Sequence, residues 1–356
     1  MEAGAAGCRG PGLALCGALM AASGRSRFLA SRYQEPSVDD LFMYDCITAG
    51  KNSQEDRGED GQRAVKTSDD ILAFAFSSSG GYFALTDDNK RLVLFRTKPC
   101  WECLSVRSVV RRCTSLIITA AEDKILVADK SGDVYSYSIT EPQKAGKIEL
   151  GHLSLLLDVD CTLRLWEYKS GKEVHCCHLN SLNKTEATKN DKKYAVSRIA
   201  YCCQGNYIAI LCDCIPTVYI FQFDAATQLL NYRHQISLKH KGWDIAFEET
   251  GGLWILQEDR EASLLLYRPV DEHWQPVADD KGLMKMSKYL QDNWTMFEGS
   301  VETESYYSSL YKASFDNMAI YLQKKEERLQ QQQKKRKELQ HESNKQTKKI
   351  RTRESY

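Results

Sequence analysis

The chain of 356 residues lacks the motifs on which several large enzyme classes depend. No glycine-rich turn stands between a strand and a helix, where a nucleotide enzyme or a methyltransferase brings its backbone close to the ligand. Gly-x-Ser-x-Gly and His-Glu-x-x-His are also absent, so nothing supports an α/β-hydrolase or a zinc peptidase. We therefore predict that this chain is not an enzyme and holds no cofactor of its own.

Long apolar runs and complete metal-ligand sets are missing as well. No run reaches the roughly 18 apolar residues that span a membrane, and the apolar stretch 12–23 lacks the basic leader of a secretory signal, which predicts a soluble protein with no membrane partner. The 13 cysteines are an odd number, and most lie in apolar strand-like runs that favour buried thiols. Cys100 and Cys103 have no second pair at zinc-site spacing, so we predict no metal.

What the sequence does contain is a repeated pattern of strands. Four copies consist of an apolar strand, a turn, a second apolar strand and a third that ends on an aromatic residue; they cover residues 71–95, 113–137, 196–221 and 243–267. Two weaker copies end on Tyr44 and Trp166. The six closing aromatics are 51, 42, 29, 55 and 46 residues apart, near the roughly 40 to 45 residues of a four-stranded blade. The pattern predicts an all-β fold, a WD-repeat β-propeller.

One interval is too short for a complete blade. Gly151 and His152 resemble the pair that opens a WD repeat, and Trp166 resembles the residue that closes one, but only 13 residues separate His152 from Trp166. Three strands with their turns do not fit into that space. We predict a truncated, fused blade around 150–168, in which the first strand of one blade joins the last strand of another and about one blade is missing.

Several polar residues occupy the positions of blade turns. Asp87 and the segment Asp129 to Asp133, with Gly132 inside it, precede third strands, where a carboxylate accepts backbone N–H bonds and glycine supplies a positive φ. With His152 and Trp166 they are predicted to be structural. His175 and His178 flank two cysteines and could in principle be a catalytic or metal-binding set. Their position after a tight turn favours an outer strand instead.

The composition divides the chain into four segments. Residues 1–12 are predicted to be a flexible leader, 13–272 the propeller, 273–323 a C-terminal helical segment packed on it, and 324–356 a basic tail. The helical prediction rests on apolar residues at helical spacing, among them Leu283, Met286, Tyr289 and Leu290.

The tail is the most strongly charged part of the chain. Residues 324–353 contain 12 Lys or Arg and 4 Glu, a net charge of +8 that leaves −8 for the rest of this neutral chain. Two basic clusters about ten residues apart are typical of a nuclear import signal, and the same charges would displace counterions from RNA. We expect a nuclear protein, with the cytoplasm as a second compartment. The residues predicted for import are Lys334, Lys335, Arg336, Lys337, Lys348, Lys349 and Arg351.

From about Ser26 to Gln333 the chain resembles a known family, the WD-repeat, non-catalytic subunit of tRNA (guanine-N7-)-methyltransferase. The resemblance rests on phrases more specific than a general WD signature: Tyr82-Phe-Ala-Leu-Thr-Asp-Asp88, Lys90-Arg-Leu-Val-Leu-Phe-Arg-Thr-Lys-Pro99, Val127-Ala-Asp-Lys-Ser-Gly-Asp-Val-Tyr135, Leu150-Gly-His-Leu-Ser154, Ser308-Ser-Leu-Tyr-Lys-Ala-Ser-Phe-Asp316 and Lys324-Lys-Glu-Glu-Arg-Leu-Gln330.

The resemblance implies a seven-bladed propeller that forms a heterodimer with a separate catalytic subunit, and that subunit would bind S-adenosylmethionine. The complex would form N7-methylguanosine in the variable loop of tRNA, and Lys324, Lys325 and Arg328 would lie near the RNA. In the family, charged residues of a middle blade help to dock the catalytic subunit; that blade falls in the short interval, so no docking residue can be transferred. A general WD-repeat adaptor or scaffold, such as a ubiquitin-ligase receptor or a chromatin protein with an import tail, is the alternative.

Overall fold

The computed structural model describes residues 10–51, 69–129, 133–150, 162–167, 172–179, 182, 196–271 and 273–301. More than half of these residues belong to antiparallel strands, and the described residues also include two short α-helices and one 3₁₀ turn. No helix among the described residues has the length and apolar character needed to cross a membrane.

Within the described residues the strands form five four-stranded sheets and one two-stranded sheet. The first sheet consists of β1 (Gly12–Cys16), β2 (Leu19–Gly24), β3 (Arg27–Arg32) and β4 (Phe42–Asp45). The second consists of β5 (Ile71–Phe76), β6 (Tyr82–Asp87), β7 (Arg91–Arg96) and β8 (Glu102–Ser108). The third consists of β9 (Cys113–Ile118), β10 (Lys124–Asp129), β11 (Val134–Ser138) and β12 (Lys147–Leu150).

The fourth sheet contains only β13 (Thr162–Glu167) and β14 (Lys172–His178). The fifth consists of β15 (Val196–Cys202), β16 (Tyr207–Cys212), β17 (Thr217–Asp224) and β18 (Leu229–Ser237). The sixth consists of β19 (Gly242–Phe247), β20 (Leu253–Gln257), β21 (Leu264–Val270) and β22 (His273–Val277). In every four-stranded sheet the strands pair in chain order, the arrangement of a propeller blade. The predicted all-β propeller is confirmed.

Neighbouring sheets pack face to face through apolar clusters. First strands of neighbouring sheets contact one another around a central channel: β1 contacts β5, β5 contacts β9, β15 contacts β19, and β19 contacts β1. Strands in the middle of a blade are covered on both faces and are apolar almost throughout, as β2 and β20 are. Between the first two sheets the ring of Phe28 contacts five other aromatic rings, so this interface is fixed by aromatic packing.

The first sheet departs from the predicted strand assignment. Tyr44 was expected to close a third strand, but it lies on β4, the outermost strand, because residues 12–32 already supply three strands. The closing aromatics Phe95, Tyr137, Phe221 and Tyr267 do lie on third strands. The small residues of β1 and β2 gave no aromatic pattern from which this shift could be recognised.

The predicted domain boundaries also differ from the sheet limits. The first sheet begins at Gly12, inside the predicted leader. The last strand, β22, lies beyond the predicted end of the propeller at residue 272, and it pairs with β21 from Val270 and His273 up to Leu266 and Val277. Aromatic spacing locates third strands, and therefore it does not locate the outer strand that completes the last blade.

Two helices lie outside the sheets. α1 (Cys46–Lys51) follows β4, and α2 (Lys281–Asp292) follows β22. Asp280 caps α2 by accepting a hydrogen bond from Leu283 N at 3.0 Å. Leu283, Met286 and Leu290 are buried, as helical spacing predicted, and a 3₁₀ turn (Trp294–Phe297) follows the helix. The predicted basic tail, 324–356, lies outside the described residues.

Candidate interaction surfaces

Buried carboxylates occupy the turns between second and third strands, as the sequence predicted. Asp87 Oδ1 accepts a hydrogen bond from Arg91 N at 2.9 Å, and Asp129 Oδ1 accepts one from Asp133 N at 3.2 Å. Both carboxylates are fully buried. Burial raises the pKa of Asp87 to about 6, although the bonds from Arg91 oppose this shift. In both places the carboxylate therefore accepts a backbone bond four residues later and fixes the start of the next strand.

Arginine side chains contact these carboxylates at one edge of the ring. We call this the upper edge, and it contains the turns before third strands and the linkers between sheets. Arg91 Nε lies 2.6 Å from Asp87 Oδ2. Arg111, in the linker between the second and third sheets, lies 3.3 Å from Asp133 and 3.7 Å from Asp129. These cations already have carboxylate partners, so the upper edge is held together by ion pairs within the protein.

The central channel contains a second charged pair. Arg198 Nε on β15 donates to Asp244 Oδ1 on β19 at 3.0 Å, and Leu13 N on β1 donates to Asp244 Oδ2 at 2.8 Å. The surrounding cavity has a volume of about 200 Å³ and is lined by residues from the first strands of five sheets. One carboxylate therefore connects three innermost strands. Sequence analysis missed this pair because nothing local distinguishes Asp244 from any other strand aspartate.

The histidine–cysteine set lies on β14, the outer strand that the sequence predicted. Cys177 Sγ and His175 Nδ1 are 3.7 Å apart, but Nδ1 already accepts a hydrogen bond from Leu230 N at 3.1 Å. Burial raises the pKa of the Cys177 thiol, so the thiolate that a nucleophile requires is disfavoured. These residues join the fourth sheet to the fifth and have the character of a structural contact.

Metal ligands are not grouped in the part of the chain that the structure describes: no cluster of three or more His, Cys, Asp or Glu side chains is arranged to hold an ion there. Cys100 and Cys103, the Cys-x-x-Cys pair, are both exposed free thiols.

The fourth sheet leaves apolar side chains of its neighbours uncovered. β14 contacts β18, and the fourth sheet shares an apolar cluster with β16, β17 and β18, so it packs on the middle and outer strands of the fifth sheet. Ile199 and Tyr201, on the innermost strand β15, remain 58% and 56% exposed. On the third sheet, Leu116 and Ile118 pack against the second sheet, whereas Ile117, on the opposite face of β9, is 57% exposed. Both faces beside the fourth sheet therefore present apolar surface that a complete blade would cover.

The remaining predicted residues are only partly visible. Trp166 lies on β13, where its backbone pairs with Glu173. The other predicted residues fall outside the described residues: Gly132, His152, Lys324, Lys325, Arg328, Lys334, Lys335, Arg336, Lys337, Lys348, Lys349 and Arg351.

Residues 30–154 and 158–262 match the family described as the tRNA methyltransferase TRM82 WD40 domain. The chain is 49% identical over 371 residues to "tRNA (guanine-N(7)-)-methyltransferase non-catalytic subunit WDR4" of Homo sapiens, covering 88% of this chain and 90% of that protein. The Bos taurus protein of the same name is 47% identical over 369 residues, covering 87% and 89%. The Xenopus laevis protein is 40% identical over 370 residues, covering 87% and 92%.

These matches bear on the short interval in the repeat. The family match is interrupted between residues 154 and 158, inside the interval from Tyr137 to Trp166. The alignment with the human protein extends over 371 residues, whereas 88% of this 356-residue chain is about 313, so about 58 residues of that protein have no counterpart here. One blade contains roughly 40 to 45 residues. The difference in length is therefore sufficient for a whole blade.

Proposed function

The chain belongs to the tRNA methyltransferase TRM82 WD40 family, and on that premise we propose that it is the non-catalytic subunit of a tRNA (guanine-N7-)-methyltransferase. The observation that carries the proposal is 49% identity to a protein of that name over 88% of the chain. The described residues fit a binding role, because the histidine–cysteine contact on β14 is engaged in packing against the fifth sheet. The chain is not itself an enzyme.

The proposed partner is a separate catalytic subunit, joined to this chain in a heterodimer. That subunit would bind S-adenosylmethionine and transfer its methyl group to N7 of a guanine in the tRNA variable loop. The propeller would hold the catalytic subunit, and no metal or membrane would take part. The basic tail supports a contribution to tRNA binding, because its net charge of +8 can neutralise phosphates.

Reconstitution tests the proposal. The catalytic subunit, this chain and the equimolar mixture are each incubated with S-adenosylmethionine and a tRNA transcript, and N7-methylguanosine is measured by mass spectrometry. We expect more methylation from the mixture than from the catalytic subunit alone. In a separate titration the isolated chain should not bind S-adenosylmethionine. Binding by the isolated chain would indicate an enzyme, and a mixture no more active than the catalytic subunit would favour the adaptor alternative.

The tail is tested by two sets of alanine substitutions, which remove three and four basic residues. Replacing Lys324, Lys325 and Arg328 should weaken tRNA binding and reduce the slope of log K against log salt, since each lost phosphate contact lowers that slope by about 0.7 to 0.9. Replacing Lys334, Lys335, Arg336 and Lys337 should reduce nuclear accumulation of the chain, the localisation we propose. Equal effects of both sets on tRNA binding would mean that charge alone matters, not position.

We further propose that this chain is a shortened form whose ring closes poorly and whose binding of the catalytic subunit is weakened. The uncovered side chains Ile117, Ile199 and Tyr201 support this proposal. A binding titration with the catalytic subunit, run beside the human relative, should give a higher Kd for this chain. Co-purification in normal yield and with normal activity would contradict it.

A further inference from the structure

The first and last sheets meet without sharing a strand. All four strands of the first sheet come from residues 12–45, and all four of the sixth come from residues 242–277. Their direct contacts are made by side chains: the rings of Tyr33 and Trp254 meet edge to face at 5.1 Å, and Leu13 N bonds to Asp244. Closure at this junction therefore needs something other than backbone pairing.

Residues 281–301, which we call the strap, lie along this junction. Met286 and Leu290 belong to the same apolar cluster as Met20 and Leu29 of the first sheet and Leu264 of the sixth. The strap therefore adds its apolar residues to a core that both sheets share.

Both ends of the strap approach the backbone or rings of these sheets closely. A Cβ built on Gly282 would lie 2.5 Å from Tyr33 O, so only glycine allows this approach at the start of α2. At the other end, a Cβ built on Gly24 would lie 2.5 Å from Met296 O. Trp294 stacks on Trp243 of the sixth sheet at 5.7 Å. The strap thus spans the junction from the loop after β3 to the upper edge.

A buried cation fixes the strap to the first sheet. Lys285 Nζ donates to Arg32 O at 2.9 Å, Glu35 O at 3.0 Å and Asp40 Oδ1 at 2.9 Å, and its side chain is only 7% exposed. One turn further on, Tyr289 OH donates to Asp39. These acceptors lie on β3 and in the loop that follows it.

The same helix is tied to the sixth sheet at its beginning. The capping carboxylate of Asp280 lies 3.4 Å from Arg268 Nη2 on β21. The carboxylate of Glu248, directly after β19, accepts hydrogen bonds from Arg268 Nη2 at 3.2 Å and from Trp254 Nε1 at 3.0 Å. Polar and apolar contacts of one short segment therefore hold both sides of the junction.

We propose that the strap, residues 281–301, is a clasp that closes the junction between the first and sixth sheets, in the role that a shared strand would otherwise have. Lys285 makes the central polar contact of the clasp, because it joins α2 to three acceptors on β3 and in the loop that follows it. When the Lys285 side chain is removed, the junction between the first and sixth sheets opens locally while the contacts between the other sheets are kept. The clasp acts on the propeller itself and does not depend on the proposed tRNA methylation.

Hydrogen exchange on the full-length chain, read by mass spectrometry, tests the clasp. Lys285→Ala is compared with Lys288→Ala, a matched change at an exposed position of the same helix. Hydrogen bonds to a charged donor are strong, so we expect amides of β1–β3 and β19–β21 to exchange at least tenfold faster in Lys285→Ala. Amides of β5–β7 should be unchanged, and Lys288→Ala should match the parent chain.

Three results would overturn the proposal: no change, faster exchange confined to α2, or equal acceleration in all sheets. If Lys285→Ala fails to fold, Tyr289→Phe provides a milder perturbation, since it removes only the hydroxyl bonded to Asp39. That variant should accelerate exchange in the same strands by a smaller factor, and acceleration elsewhere would contradict the clasp.

Discussion

Replacing Asp244 by alanine measures how strongly one carboxylate holds three innermost strands together. Arg198 and Asp244 have side chains that are 17% and 13% exposed, so the pair is mostly removed from solvent. Loss of one partner from a buried ion pair costs about 3 to 5 kcal/mol, because the other charge stays buried without its counter-ion. The amide of Leu13, which donates to Asp244 at 2.8 Å, loses its acceptor as well.

We expect Asp244→Ala to lower the free energy of unfolding by about 4 kcal/mol, since channel water will satisfy part of what is lost. At about 2 to 4 °C per kcal/mol for a large domain, the Tm should fall by about 10 °C. Chemical denaturation followed by circular dichroism and calorimetry provides the two measurements. The matched control is Glu141→Ala, whose partner Lys144 is 68% exposed; it should cost less than about 1 kcal/mol.

A double-mutant cycle decides whether the pair itself is responsible. Arg198→Met alone leaves Asp244 buried with its two backbone bonds, and the double variant removes both charges. The double variant should be more stable than the sum of the two losses predicts, by about 1.5 to 3 kcal/mol. Strict additivity, or a loss below about 1 kcal/mol for Asp244→Ala, would refute the reasoning.

Three further predictions concern the core, acid stability and the absence of catalysis. Phe28→Ala removes the ring between the first two sheets and should lower the free energy of unfolding by about 3 to 5 kcal/mol. Chemical denaturation measures this loss, and a value below about 1 kcal/mol would contradict close packing. Burial acts to raise the pKa of Asp40, but hydrogen bonds from Ser31, Lys285 and the Arg32 amide outweigh it and lower the pKa. The ionised Asp40 carboxylate therefore stabilises the fold. This contribution is present above pH 3.8, the ordinary pKa of the group, and is lost as the pH falls through the lower pKa of the folded state. Asp40→Asn should therefore flatten the acid side of a curve of Tm against pH. Cys177→Ser should leave methylation by the reconstituted complex unchanged; a loss of turnover at unaltered Tm would indicate a chemical role.

Some features could be predicted because they are local. Asp87 and Asp129 precede third strands at the spacing of a turn whose carboxylate accepts a backbone bond four residues later, and the structure shows these bonds. The buried face of α2 follows from apolar residues three and four positions apart. A turn or a helix face is set by neighbours in sequence, so its pattern is visible there.

Other assignments failed, or could not be made, because they depend on distant parts of the chain. Tyr44 is aromatic like the residues that close third strands, yet three strands precede it in the first sheet, so it lies on the fourth, outermost strand. Lys285 lies beside Met286 in a helix and has no sequence feature that distinguishes it from the exposed Lys288. Its burial results from the carbonyl groups of Arg32 and Glu35, about 250 residues away.

The sequence by itself determined the strand repeat, the position of the short interval and the uneven distribution of charge, because these are properties of residue order and spacing. Only the tertiary structure decided how the ring closes. Asp244, Lys285 and the glycines Gly24 and Gly282 acquire their roles from segments that meet across the junction of the first and sixth sheets. Closure is a contact between residues 231 to 245 positions apart in the chain, and no local pattern encodes it.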